Sequence, residues 1–108
     1  MSTPAPAASF ELAALADGRL AARGPLTFAT ARRARELGRH AIATAGTAAL
    51  EIDCEGISAT DSAGLAVLID WLACARAARR TLQYRRLPED LTALGRISEL
   101  QELLERGV

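Results

Sequence analysis

The chain of 108 residues contains no lysine, one histidine (His40) and two cysteines (Cys54 and Cys74). Each shortage excludes something. One histidine and two distant cysteines cannot supply the usual donor set of a zinc site, so no metal or other cofactor is expected. The two thiols lie in an apolar strand end and an apolar helix and form no C-x-x-C pair. They read as buried free thiols in a reducing compartment. Aromatic residues are 4% of the chain, so its core must be built from Leu, Ile, Val and Ala. The 13 basic residues, all arginine, balance 13 acidic ones. A nucleic-acid binder needs a basic excess to displace counterions, so no nucleic-acid partner is expected. The longest apolar run, Ala63 to Ala75, is broken by Asp70 and too short to span a bilayer. No transmembrane segment is expected. Met1-Ser2-Thr3-Pro4-Ala5-Pro6 lacks the charged and apolar regions of a signal peptide, so a cytoplasmic location follows.

What is present suits one compact domain. Half of the residues are hydrophobic, enough for a core without disulfides or metal. Residues 1–8 read as a disordered lead and residues 9–108 as the domain. The alanine runs and the all-arginine basic set read as GC-rich codon usage rather than as function.

The pattern along the chain predicts the order β-β-α-β-α-β-α-α. Residues 10–15 and 19–23 read as short strands joined at Asp17-Gly18, a strong hairpin signal. Gly24-Pro25 is expected to break the sheet. Residues 28–45 read as a helix, with Ala34, Leu37, Ala41, Ile42 and Ala45 at helical spacing and Gly46 as its stop. Residues 48–53 read as a strand covered on both faces, since the run is almost continuously apolar. A loop is expected over 55–60. A second helix runs from Ser62 to Arg79, capped by Asp61. Residues 81–85 form another strand. Pro88 opens a third helix, with Glu89 and Asp90 in its first turn. Ser98-Glu99-Leu100-Gln101 is a capping box that starts a last helix, stopped at Gly107. The β-α-β units imply a mixed, mostly parallel sheet with right-handed crossovers, helices packed on it and the first strand antiparallel at an edge.

The informative segment is Cys54-Glu55-Gly56-Ile57-Ser58-Ala59-Thr60-Asp61-Ser62-Ala63-Gly64-Leu65. A strand ends, a polar stretch follows and Asp-Ser-Ala-Gly-Leu opens a helix. Asp61 is placed to accept from the free amides of the first helical turn. Ser62 stands beside those amides at the helix start. Gly64, without a side chain, leaves space for a close approach to the backbone. A phosphate on Ser62 would meet the positive end of the helix dipole and the repulsion of Asp61. By itself the pattern also reads as an ordinary cap followed by a tolerated serine.

This segment, between an apolar strand and an apolar helix, resembles the STAS domain shared by anti-sigma factor antagonists. The paired first strands and the turn Gly24-Pro25-Leu26-Thr27 fit the same pattern, although an acidic residue is usual where Thr27 stands. Within STAS, Asp61 to Leu68, Trp71, Leu82-Gln83-Tyr84-Arg85, Leu87 to Leu94 and Leu100 to Leu104 are similar to the MlaB branch. The resemblance implies a STAS-type α/β sandwich. It further implies a non-catalytic subunit that binds and supports the cytoplasmic ATPase (MlaF-like) of a phospholipid-transport ABC complex concerned with outer-membrane lipid asymmetry. Such a subunit is peripheral to the inner membrane through that complex. The alternative is an anti-sigma factor antagonist that binds a serine-kinase anti-sigma factor and is released when Ser62 is phosphorylated. The expected partner-binding residues are Thr60, Asp61, Ser62, Ala63, Gly64, Val67 and Trp71.

Helix 62–79 carries two apolar stripes, Leu65/Leu68/Leu72/Ala75 and Val67/Trp71/Cys74/Ala78. A helix lying on a sheet needs one. The second stripe either faces a partner, with Trp71 as an anchor, or joins the first in one wide buried face. The arginine clusters (Arg32, Arg33, Arg35 and Arg39; Arg76, Arg79, Arg80, Arg85 and Arg86) read either as contacts to an acidic partner or to headgroups, or as solvated faces, the second being the simpler account. No enzyme is expected. Ser62 is not in a G-x-S-x-G elbow, His40 has no evident partner, and no phosphate-binding glycine loop occurs.

Overall fold

A computed structural model describes residues 9–92. Through them the expected order is found: β1 Glu11–Ala14, β2 Arg19–Leu26, α1 Ala31–Thr44, β3 Ala49–Thr60, α2 Ser62–Ala77 and β4 Thr81–Arg85. A helical turn follows at 89–92, behind Pro88. The lead at 1–8 and the helix expected from Ser98 lie outside the described residues.

The hairpin forms where Asp17-Gly18 places it. Both residues have positive φ, 52° and 80°, as a two-residue turn between twisted strands requires. The strands make one sheet in the order β1-β2-β3-β4. β1 pairs antiparallel with β2, and the pairs β2–β3 and β3–β4 are parallel. Because β2, β3 and β4 step in one direction across the sheet, right-handed crossovers put α1 and α2 on the same face. There they pack on each other. Arg39 of α1 grips Asp70 of α2 through Nε (2.9 Å) and Nη2 (2.8 Å). Beneath them lies a core that includes Phe10, Leu26, Ile42, Ile52, Leu68, Trp71, Leu72 and Leu82. The buried Tyr84 hydroxyl donates to the Leu68 carbonyl at 2.6 Å, tying β4 to α2 and giving the phenol the partner it needs inside.

Four expectations need correction. Gly24-Pro25 does not end β2, which continues to Leu26 with register shifts between Ala21 and Arg23 and between Gly24 and Pro25. Gly24 takes a left-handed φ of 90°, so the strand bends through the pair instead of stopping. The stretch 55–60 is strand rather than loop, because the extended β2 offers it a ladder: Arg23 pairs with Gly56, Gly24 with Ile57 and Leu26 with Thr60. Nor is β3 covered on both faces. Leu50, Ile52 and Cys54 are buried, whereas Glu51 and Asp53 point the other way. They meet Arg85 (Nε to Glu51 Oε1, 3.0 Å) and Arg86, which also reaches Glu55 at 2.9 Å. The alanines that made this strand look apolar are weak markers of burial; Ala48 and Ala49 are exposed.

The fourth correction concerns the helix limits. α1 begins at Ala31, not 28, because Thr30 holds a turn ahead of it. Its hydroxyl donates to the Pro25 carbonyl (2.8 Å) and accepts from the Thr27 amide (3.0 Å). α2 ends at Ala77. Arg79 adopts φ 59°, and the Arg80 amide donates back to the Ala75 carbonyl at 2.9 Å, a Schellman closure made without glycine.

Candidate functional site

The site lies where β3 hands over to α2. Asp61 is extended there, at φ −151° and ψ −172°, as an N-cap should be. Its Oδ1 accepts from the amides of Ala63 (2.9 Å) and Gly64 (3.1 Å), as the sequence predicts. Its Oδ2 accepts from the Phe28 amide at 3.0 Å. One carboxylate thus joins the head of α2 to the turn before α1, 33 residues earlier. The Phe28 amide, and after it those of Gly64 and Ala63, hold the Asp61 carboxyl below its ordinary range against the cost of desolvation.

Ser62 is exposed at the first position of α2. The amides of Ala63 and Gly64 are already taken by Asp61. A phosphate on Ser62 would therefore stand beside a carboxylate instead of inheriting the cap, so added charge there repels more than it orders.

The other expected residues divide by burial. Thr60, Asp61 and Ala63 are half-buried. The Thr60 hydroxyl is buried without a hydrogen-bond partner among the described residues. Gly64 is buried, and what approaches its backbone is this chain itself: an added Cβ would lie 2.1 Å from the Leu26 carbonyl oxygen of β2. Val67 is 4% exposed and Trp71 not at all. Of the two readings of the second stripe, the outward one anchored by Trp71 is therefore corrected, and Val67 and Trp71 offer no exposed contact. Trp71 sits between α1 and the entry to β1, with its ring centroid 6.0 Å from that of Phe10. It occupies space left by Gly38, where an added Cβ would fall 2.0 Å from Trp71 Nε1. Val67 and Trp71 join Leu65, Leu68, Leu72 and Ala75 in one wide buried face, while Cys74 is half-buried and Ala78, beyond the end of α2, is exposed.

The large apolar side chain exposed at this corner is Phe28, 84% exposed in the turn ahead of α1. The sequence pattern places it inside the helix expected over 28–45 and gives it no role. One signal marks it: it is one of four aromatic residues in the chain and directly follows Gly24-Pro25-Leu26-Thr27. Phe28, Ala31, Arg32 and Arg35 form one wall of a groove of about 630 Å³. Ala63, Ala66, Val67 and Asp70 form the other. Asp70, which interrupts the apolar run, closes the far end by pairing with Arg39 and, at 3.6 Å, Arg35. The Arg39 guanidinium holds the Asp70 carboxyl below the usual carboxylate range.

A mixed sheet with both crossover helices on one face is the architecture of the anti-sigma-factor-antagonist-like α/β domains. A family model described as "Mlab, STAS domain" matches residues 10–105, and the chain belongs to the STAS domain family. Among solved structures, it is similar to the anti-sigma factor antagonist SpoIIAA in its unphosphorylated form. The TM-score is 0.62 and the identity 16%, over 82% of each chain, which is a likeness of fold. No curated protein sequence matches this chain.

Proposed function

We propose that the protein is an MlaB-like binding subunit that docks on, and supports, the cytoplasmic ATPase of a phospholipid-transport ABC complex without catalysing a reaction itself. The observation that carries this reading is Ser62, exposed at the head of a helix whose cap is locked by Asp61. The MlaB description of the matching family supports the choice of partner. Among the described residues no helix is long and apolar enough to cross a membrane. In this reading the protein reaches the inner membrane through its complex.

The contact surface we propose is Ser62 with Thr60, Asp61 and Ala63 around it. Gly64 and Val67 lie buried on the same stretch of helix, and Trp71 anchors α2 further along, against Gly38 and Phe10. Replacing Ser62 by a charged, bulky residue should break the contact without unfolding the domain. Titration calorimetry with the cognate MlaF-like ATPase is expected to show binding weakened at least tenfold, ~1.4 kcal/mol, by Ser62→Glu and nearly kept by Ser62→Ala. Equal affinity and equal ATPase rate for Ser62→Glu would remove the proposed surface.

The same exposed hydroxyl favours one other reading, an anti-sigma factor antagonist switched by phosphorylation of Ser62. Incubation with a cognate serine-kinase anti-sigma factor, followed by intact-mass measurement, decides it. No phosphate uptake eliminates that reading.

A further inference from the structure

The groove beside Ser62 has a shape and a charge pattern of its own. Ala63, Ala66, Val67 and Asp70 line its α2 wall at i, i+3, i+4 and i+7, one helical stripe. On α1, Ala31, Arg32 and Arg35 line the facing wall. Both helices follow parallel strands and lie on one face, so both run away from the Ser62 corner. Phe28 stands at the open end. The Arg39–Asp70 fork stops the other end. The stretch from Ala63 to Asp70 is seven rises, roughly 10 Å or two turns of helix.

The floor is made of small and medium apolar groups. The arginines rise on one side only. The Arg32 side chain is 95% exposed and that of Arg35 57%. Asp70 is already engaged by Arg39 and Arg35, and Glu36 meets Arg32 only at 3.9 Å. Arg32, Arg35 and Arg39 outnumber the two carboxylates they share, Glu36 and Asp70, so a guest meets an apolar trough with a net positive edge toward α1.

We propose that this groove takes two turns of an amphipathic helix from the partner protein. The helix presents apolar side chains at i, i+3 or i+4, and i+7, and carboxylates along the edge that faces Arg32 and Arg35. Phe28 clamps its first turn. This rests on the docking reading of the Ser62 corner and adds the chemistry of what docks. The spacing of the trough matches the anchors of a helix laid in a groove, and the arginines set its orientation and charge preference.

The test uses the full chain, labelled with ¹⁵N, and two probe peptides. The first is a helical 16-mer with leucines on one stripe and glutamates along one edge. The second has lysine at every glutamate. The glutamate peptide is expected to shift the amides of Phe28, Ala31, Arg35, Ala63, Ala66 and Val67, and the lysine peptide not to. Phe28→Ala, at an exposed position where an unchanged circular dichroism spectrum is expected, should weaken binding about tenfold, as for a hot-spot aromatic. Arg32→Glu with Arg35→Glu should reverse the preference between peptides.

The proposal is overturned if neither peptide shifts those amides, or if both bind equally. It is also overturned if the same amides shift with protein concentration alone, which makes a second copy the occupant. The Ser62→Glu titration with the ATPase stands apart. A groove that takes the glutamate peptide in a protein that ignores the ATPase keeps this inference and rejects the docking partner. ATPase binding with an empty groove does the reverse.

Discussion

At the scale of single residues, Asp61 does more than cap a helix. Its second oxygen fixes the turn that carries Phe28, so one side chain positions both the serine and the exposed aromatic. Asp61→Asn keeps acceptors for part of this pattern and Asp61→Ala keeps none. Cys54 is the opposite case. Burial pushes its thiol up to about 12, which makes it an inert core atom and not a nucleophile. Arg79 is a residue out of place. It holds a left-handed φ of 59° at the end of α2, a position that glycine takes without strain. Arg79→Gly is expected to raise stability by about 1 kcal/mol, read as a higher urea midpoint at unchanged slope. A lower midpoint would mean that the Arg79 side chain contributes more than its backbone strain costs.

At the scale of elements, the two helices are locked by a glycine and a tryptophan. α1 approaches α2 closely because Gly38 leaves room for the Trp71 indole. Alanine is the better helix former by about 1 kcal/mol. The overlap at 2.0 Å falls on a buried ring that cannot swing away, and overpacking of this kind costs about 1–3 kcal/mol or more. The clash wins, so Gly38→Ala is expected to destabilise by about 1–2 kcal/mol net in urea unfolding. In that background Trp71→Leu should cost less than it does in the native chain, since the pair is coupled. Additive losses would show that the helices yield without strain. The same packing explains why the sequence leaves Trp71 open between two roles. Its spacing on α2 suits a partner's groove and a neighbouring helix equally well, and the feature that decides between them is a glycine on another element. Phe28 escapes a reading of the sequence for the complementary reason. Its apolar character is local, but its exposure follows from the Thr30-centred turn and the Asp61 contact, which holds it outside the packed face.

For the whole molecule, charge is arranged as paired groups rather than as a field. Arg85 meets Glu51, Arg86 meets Asp53 and Glu55, Arg39 and Arg35 meet Asp70, and Arg33 meets Glu11. Most of the arginines that suggested a basic patch answer to carboxylates of this chain. Acid should therefore loosen the fold. The folded carboxyls of Asp53, Asp61 and Asp70 lie below their ordinary values, through Arg86, the Phe28 amide and Arg39 respectively. The unfolded chain binds more protons between the folded values and roughly pH 4, so stability rises with pH in that window. It is present above the unfolded value and lost as the pH falls through the folded ones. Urea midpoints are expected to decline below about pH 4. A midpoint that holds steady or rises on acidification would contradict the assigned pairings.

The order of elements, the Asp17-Gly18 hairpin, the Asp61 cap and the family motif were legible in the sequence, because each depends on residues a few positions apart. Backbone φ preferences, capping amides and helical spacing act at that range. The length of β3, the burial of Val67 and Trp71, the exposure of Phe28 and the groove between α1 and α2 were decided only by tertiary structure. Each depends on a neighbour some 30 residues away: the β2 ladder for β3, Gly38 for Trp71, Asp61 for Phe28. Whether an apolar side chain meets core or solvent depends on what the rest of the chain places over it, and no local pattern carries that information.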